Sequence, residues 1–386
     1  MKEPKKIAYV GGPDLSLRIP FIKALASNGY DIIALGSDKV EENKFGKHSI
    51  PYQLYSLNRR FNPINEIKAL FTLRNIFKRE KFIIVHAFDT KPTILARIAA
   101  AWAGIPIIIG TIPGLGSLFS EENLLNKILR KIYIFAQMIA CKGSNMTIIQ
   151  NQDDRDFFIS RRITDISKAI IIKGSGIDTK RFSSENANAK DVQKTKKELC
   201  LKNDLVISMI ARLVKYKGVK EYLEAASLLK NKYPKISFLL VGPQDETLAA
   251  FSLKEVSKYS KIVKYLGPRN DIQEILFLSD IVVLPSYYRE GIPRVLLEAA
   301  SMEKPIVTTN LPGCKEIVED GKNGFLIPPK NVNALAEAIE KFILNKGLRK
   351  EMGILSRRKA IKEFSLAIVF KETQNLYSGL LKSARH

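Results

Sequence analysis

Short apolar runs recur along the whole chain, separated by longer stretches in which apolar residues return every three or four positions. The runs predict strands and the periodic stretches predict amphipathic helices. In the first half, strands are expected at 6–10, 31–35, 82–86, 105–111, 146–149 and 169–172, with an extended segment at 51–57. Helices are expected at 17–28, 65–78 and 92–103, the middle one with Ile67, Leu70, Phe71, Ile76 and Phe77 on one face. Gly174-Ser175-Gly176-Ile177-Asp178 closes this half, and the polar stretch 183–197 has the composition of a linker. The alternation then restarts, with strands at 205–211, 236–241, 263–266, 281–284, 306–309 and 324–327. Helices are expected at 219–230, 248–259 and 272–278, near 293, and from 332 onward. Strand and helix in regular alternation imply parallel sheets covered on both faces. Two doubly wound halves in tandem place a ligand crevice at the carboxyl ends of their strands, between the domains.

Composition refines this picture at one point. With 386 residues the chain has material for two cores, and 46% apolar with 26% charged residues is ordinary for a globular protein. The formal charge of +23 is not ordinary, and it calls for an anionic partner: nucleic acid, a phosphorylated ligand or an acidic membrane surface. Cys141, Cys200 and Cys314 form no metal-ligand spacing or disulfide framework, which fits a reducing, cytosolic setting. The start MKEPKKIAYVGG lacks a long apolar run, so no secretory leader is expected. No window reaches the length of a membrane span, because Arg97 interrupts the most apolar one.

The stretch 124–142 combines Lys127, Arg130, Lys131 and Lys142 with Leu125, Ile128, Leu129, Ile132 and Ile139. It reads either as a core helix with a solvated basic end or as a helix lying on an anionic bilayer. The neighbouring Arg59, Arg60, Lys68, Arg74, Lys78, Arg79 and Lys81 favour the bilayer. For nucleic acid the signal is poorer: basic residues are spread over both halves, and no reader motif with interleaved aromatics is present.

The candidate chemistry centres on DIVVLPSYYREGIPRVLLEAASM, 280–302, a strand running through a short loop into a helix opened by Pro293. A helix start after a strand gathers free N–H groups and the positive end of the macrodipole, where an anion binds readily. Glu290 and Glu298 flank it, and a carboxylate in that position suits sugar hydroxyls, since it accepts two protons from a vicinal diol. On spacing alone, ordinary solvated glutamates at a helix start are the better fit. Arg212 and Lys217, in ARLVKYKGV, follow the first strand of the second half and put two fixed cations at the same crevice. A departing diphosphate needs such cations, especially without a metal. At the first strand, Gly11-Gly12-Pro13 makes a turn where backbone approaches a ligand closely, although GGPDLS lacks the dinucleotide spacing.

Taken together, GGPDLSLRIPFIKAL, HAFDTKPTILARIAAAWAGIP, GLGSLF, GIDTKRF, ARLVKYKGVKEYLEA, VGPQDE, LGPRNDIQEIL, PSYYREGIPRVLLEA and PGCKEIVEDGKNGFLIPP resemble a retaining glycosyltransferase of family 4. The resemblance implies an α/β chain of GT-B fold, two Rossmann-like doubly wound domains facing each other across a cleft. The expected division is 1–182 for the acceptor domain, 183–200 for a linker, and 201–360 for the nucleotide-sugar domain. A last helix, 361–386, is expected to pack back on the first domain. By the same resemblance Arg212 and Lys217 bind the donor diphosphate and stabilise its departure, and Glu298 holds the ribose. Glu290, with the backbone of Gly291 and Ile292, meets the donor sugar. Arg269, Asn270, Asp271 and Ile272 border the base, and Gly11 and Gly12 let the first domain approach the diphosphate. His86 is a catalytic candidate, although the family's second histidine of an H-x-H pair is Phe88 here. Asp89, Lys91 and Arg18 are candidates for acceptor contact. A further departure is Glu303, where the family usually has Gly before the Lys-Pro pair.

The strings PSYYREGIPRVLLEA, HAFDTKPT and GLGSLF are most similar to bacterial transferases that extend polyprenyl-diphosphate-linked sugars in capsule, O-antigen or protein-glycan assembly. The implied donor is a hexose or N-acetylhexosamine on UDP, with GDP open, and neither metal nor other cofactor is expected. The expected place is the cytoplasmic face of the cell membrane, as a peripheral protein on an anionic surface. Two rivals remain at this level. One is a nucleotide-sugar epimerase of GT-B fold, which would need no acceptor, and the other a basic nucleic-acid-binding protein.

Overall fold

The computed structural model describes residues 5–12, 15–57, 62–120, 123–201, 204–245 and 249–384. Pro13, Arg59, Arg60 and Leu248, which figure in the expectations above, lie outside them. The chain forms two compact units, Met1–Ser175 with Leu366–His386, and Gly176–Ser365.

The first unit is a seven-stranded parallel sheet of order β3-β2-β1-β4-β5-β6-β7. Its strands are β1 (Lys5–Val10), β2 (Tyr30–Gly36), β3 (Tyr52–Leu54), β4 (Ile84–Phe88), β5 (Ile107–Ile112), β6 (Met146–Ile149) and β7 (Ala169–Ile171). Its helices are α1 (Ile19–Ala26), α2 (Lys39–Gly46), α3 (Pro63–Glu80), α4 (Thr90–Ala103), α5 (Leu124–Lys142) and α6 (Gln152–Ser160). Alternate side chains of each strand enter different cores, which is why the strands read as unbroken apolar runs. Ile7 and Tyr9 pack with Phe21, Ile22 and Tyr377, whereas Ala8 and Val10 pack with Leu73, Phe77 and Ala96. Tyr377 comes from the last helix, which by the numbering below is α15 (Leu366–Ser383). It buries Val369, Thr373, Tyr377 and Leu381 at four-residue spacing, and residues from 366 onward belong to the first unit.

Arg97, on α4, is fully buried, and its methylenes fill the space over Gly110, where a Cβ would come within 2.7 Å of them. Its guanidinium donates to the Thr93 carbonyl, Thr147 Oγ1 at 3.2 Å, Cys141 Sγ at 3.4 Å and Gln137 Oε1. The charge that breaks the apolar window therefore sits inside a packed unit. Among the described residues, no helix is long and apolar enough to cross a membrane.

The second unit is a six-stranded parallel sheet of order β10-β9-β8-β11-β12-β13 with one large core and a smaller cluster around Val206 and Leu239. Its strands are β8 (Leu205–Ile210), β9 (Ile236–Val241), β10 (Val263–Tyr265), β11 (Ile281–Leu284), β12 (Ile306–Thr309) and β13 (Gly324–Ile327). Its helices are α7 (Ala189–Glu198), α8 (Val219–Lys232), α9 (Leu253–Ser257), α10 (Ile272–Leu278), α11 (Arg294–Ser301), α12 (Cys314–Ile317), α13 (Val332–Leu344) and α14 (Lys346–Phe364).

Two boundaries differ from the sequence expectation. The stretch 183–200 is no linker: a 3₁₀ turn, Ser184–Asn186, leads into α7, capped by Asn188, whose side chain accepts from Lys190 N. Val192, Thr195 and Leu199 are its only buried face, with Leu199 and Leu201 packing on Val206 and Leu239. Two apolar side chains and one buried threonine, hydrogen-bonded to Asp271, dock a lysine-rich helix and leave a composition that resembles a loop. The later boundary, expected between 360 and 361, falls at Ser365, because Met352, Ser356, Ala360 and Phe364 of α14 are all buried within the second unit.

Candidate active site

In the six-stranded sheet the strand order reverses between β8 and β11, and the carboxyl ends of strands at such a reversal are where open parallel sheets bind ligands. Arg212 and Lys217 follow β8, and Glu290 lies in the loop after β11. Lys217 Nζ is 2.7 Å from Glu290 Oε1, with both side chains mostly shielded. Ser286 Oγ lies 2.9 Å from the same Oε1 and 3.1 Å from the Tyr216 carbonyl, so its one proton serves either acceptor. Tyr287 N donates to that Tyr216 carbonyl at 2.8 Å, which stitches the two loops together. Glycine is required where they meet. Gly218 has φ +77°, and a Cβ there would collide with the Pro285 carbonyl; Gly313 has φ +83°, and a Cβ would collide with the Gly291 carbonyl.

Arg212 is held differently. Its Nη1 is 2.7 Å from Asp245 Oδ2, with the arginine side chain 52% exposed and the aspartate only 5%. The anchor is fixed and the guanidinium is on a leash. Glu298, in α11, accepts from Arg294 Nε at 2.9 Å. Burial raises its pKa, and Arg294, then Arg181, work against that rise. Pro293 caps α11 rather than beginning it, and Gly291 is buried beside half-buried Ile292.

The segment expected at the base divides. Asn270 is exposed and Ile272 opens α10. Arg269, however, pairs with Asp271 at 2.7 Å and with Glu198 of α7, and Thr195 Oγ1 donates to Asp271 at 3.0 Å. Both carboxyls lie below their usual range because of that guanidinium. Arg269 thus clamps α7 to α10.

The first sheet has its own reversal, between β1 and β4. There Gly12 N donates to Asp89 Oδ2 at 2.9 Å, so the amide expected to face a diphosphate is occupied by a carboxylate of the same unit. Asp89 holds φ +68°, unusual for a residue with a side chain, at the start of α4. Gly11 is buried, with room for a Cβ denied by Leu15. Lys91 is paired with Glu66 at 2.8 Å, and the Arg18 guanidinium lies 3.8 Å over the Phe88 ring.

His86, the catalytic candidate of the first unit, is hydrogen-bonded on both ring nitrogens from within that unit. It is 2% exposed, with Nδ1 2.6 Å from Tyr377 Oη and Nε2 2.7 Å from Thr111 Oγ1. Strand alternation turns it, with Ile84 and Phe88, toward α15, and Phe88 stacks on its ring at 4.1 Å. Burial, with Arg18 adding to it, drives its pKa well below 6.5, so it is a neutral structural hydrogen-bonder.

Along α5 the apolar face points outward. Leu124 is 75% exposed, Leu125 65%, Ile128 and Ile132 51% each, and Phe135 64%. Only Tyr133, Gln137, Ala140 and Cys141 are buried, so α5 covers the sheet with a narrow edge.

Two Rossmann-like units, the second with a lysine–glutamate couple at its strand reversal, fit a glycosyltransferase without alone excluding the epimerase of the same fold, and similarity to known proteins decides between them. A glycosyl transferase 4-like family model matches residues 6–151 and a glycosyl transferases group 1 model residues 191–359, and the chain belongs to that family. It is 28% identical over 378 residues to N,N'-diacetylbacillosaminyl-diphospho-undecaprenol alpha-1,3-N-acetylgalactosaminyltransferase of Campylobacter jejuni, spanning 98% of both chains. It is 30% identical over 330 residues to UDP-Gal:alpha-D-GlcNAc-diphosphoundecaprenol alpha-1,3-galactosyltransferase of Escherichia coli, 84% of this chain and 83% of the relative. The crystal structure of Anabaena Alr3699/HepE in complex with UDP-glucose shares the fold, with a TM-score of 0.80 at 20% identity over 97% of this chain and 99% of that one.

Asp245, Ser286, Arg294 and Tyr377 were not singled out from the sequence, yet each holds a candidate residue in place. Asp245, Ser286 and Arg294 had a signal, lying in the VGPQDE and PSYYREGIPRVLLEA strings, with Arg294 one helical turn before Glu298; Tyr377 becomes visible only once strands and helices are packed.

Proposed function

We propose that the enzyme transfers a hexose or N-acetylhexosamine, with retention, from a UDP-sugar to a polyprenyl-diphosphate-linked saccharide in capsule, O-antigen or protein-glycan assembly. The observation that carries the reading is the Lys217–Glu290 pair at 2.7 Å beside the leashed Arg212, at the strand reversal of the second unit. The named acceptors of the Campylobacter and Escherichia relatives and the UDP-glucose bound to HepE support the substrate classes.

In this reading Arg212 leaves Asp245 and Lys217 turns from Glu290 toward the incoming diphosphate, which freshly desolvated cations bind strongly. Glu290, released and still held by Ser286, takes a hydroxyl of the donor sugar, with the backbone of Gly291 and Ile292 alongside. Glu298, kept in orientation by Arg294, holds the ribose, and the backbone from Arg269 to Ile272 borders the base. The bond from the anomeric carbon to the diphosphate breaks, the acceptor oxygen bonds on the same face, and its proton passes to the departing phosphate. The two cations and the α11 dipole carry the developing charge, so the reaction needs no divalent ion. Asp89, Arg18 and Lys91 serve the acceptor side.

The outward apolar face of α5, rimmed by Lys127 and Lys131, lies on the cytoplasmic face of an anionic membrane, where each basic residue near the surface adds about 1 kcal/mol. Sedimentation with anionic vesicles, reversed by salt, is the expected result, and binding that ignores salt contradicts it. Thermal-shift screening against UDP- and GDP-sugars tests the donor. Stabilisation by UDP compounds alone is expected, and a preference for GDP compounds overturns the nucleotide assignment.

A further inference from the structure

At the C-terminal end of α5 the exposed stripe runs into a groove of about 390 Å³. Its apolar lining is Phe135, Met138, Ile139 and Ile163, and its charged lining is Lys142, Arg162 and Lys168 with the single carboxylate of Asp165. None of the three cations has an acidic partner among the described residues. Thr164 also lines the groove; it is only 8% exposed, and its Oγ1 is buried with no hydrogen-bond partner among the described residues. Lys142 and Lys168 continue into a second hollow of about 480 Å³, walled by Ile105, Pro106, Ile108 and Leu380. The groove lies where β6 and β7 begin, and in a parallel sheet that is the edge opposite Gly12 and Asp89. It is therefore separate from the candidate acceptor residues.

We propose that this groove binds one anionic phospholipid, its phosphate between Lys142, Arg162 and Lys168 and its acyl chain along Phe135, Met138 and Ile139. An apolar trough with a few converging charges is the ordinary build of a small-molecule site, and cations with no acid of their own select a phosphate. Because Phe135 and Ile139 belong to both groove and stripe, a lipid seated here extends from the bilayer beneath α5. The inference rests on the membrane reading for the source of the lipid, and the test separates the two.

Dihexanoyl-phosphatidylglycerol is titrated calorimetrically as a monomer, below its micelle concentration, with dihexanoyl-phosphatidylcholine and inorganic phosphate alongside. Saturable one-to-one binding of the phosphatidylglycerol is expected, at least fivefold tighter than the choline lipid, with none detectable for phosphate. Arg162 sits at φ +54°, where glycine is easier, so Arg162→Gly removes the charge without harming the fold. That change combined with Lys142→Ser and Lys168→Ser should weaken lipid binding at least tenfold. Ile128→Ser with Ile132→Ser should spare it while reducing vesicle sedimentation. Absence of saturable binding, phosphate binding as tightly as the lipid, or equal affinity in the folded triple variant each overturns the proposal. Vesicle binding without monomer binding would remove the groove and leave the α5 surface standing.

Discussion

The two units share one architecture and use its strand reversal in opposite ways. At the first reversal an internal carboxylate, Asp89, closes the Gly12 amide, and an aromatic group built from Tyr9, His86, Phe88 and Tyr377 fills the space behind. At the second, two cations are each held by one carboxylate, Lys217 by Glu290 and Arg212 by Asp245. A glycine turn already answered from within offers little to an anion, whereas cations on short tethers are poised to exchange partners. In the structure both reversals are answered by internal carboxylates, and in the proposed reaction the second exchanges its partners for a diphosphate.

The sharpest way to break this contrast is to unload the second unit. Lys217→Ala should lower turnover by about two to three orders of magnitude, the usual cost of losing one charge-stabilising donor, with the fold intact. Near-normal turnover would make the two reversals equivalent. Glu298→Ala should act next most strongly, raising the donor dissociation constant about tenfold, roughly 1.4 kcal/mol, with turnover at saturation little changed. In the first unit, Asp89→Asn should raise the acceptor KM severalfold while leaving UDP affinity within about twofold; a large loss of UDP affinity would place the diphosphate there as well.

The smallest effect concerns pH. His86 has a folded pKa well below that of the unfolded chain, near 6.5, so below that pH the unfolded state takes up a proton that the folded state refuses. Stability from this residue is complete above about pH 6.5 and falls away as pH drops toward the folded value. His86→Gln should flatten that part of the profile, read from urea midpoints between pH 7.5 and 5. An unchanged slope would contradict the neutral, buried assignment.

Much of the second reversal was legible because its chemistry is local. Arg212, Lys217, Glu290 and Glu298 lie within a few residues of a strand end or a helix start, and short-range pattern places them. The first reversal was less legible. His86 shows its character only through Tyr377, 291 positions away in sequence, and no local pattern carries that contact. Helix α2 escaped notice because only Glu41 and Phe45 are buried among its eight residues, and α7 for the same reason. Arg269 is expected beside the base by resemblance alone, and its clamp on α7 is not legible because its partner Glu198 lies in the stretch that composition marks as a linker.

Fixed cations at the second reversal, acting without a divalent ion, are the core of this account, and calorimetric titration of UDP in excess chelator tests them most directly. The wild-type protein should bind UDP equally well with chelator or with magnesium, and Arg212→Ala and Lys217→Ala should each weaken binding at least tenfold, about 1.4 kcal/mol. Binding abolished by chelator and restored by magnesium, or untouched by both substitutions, would contradict it.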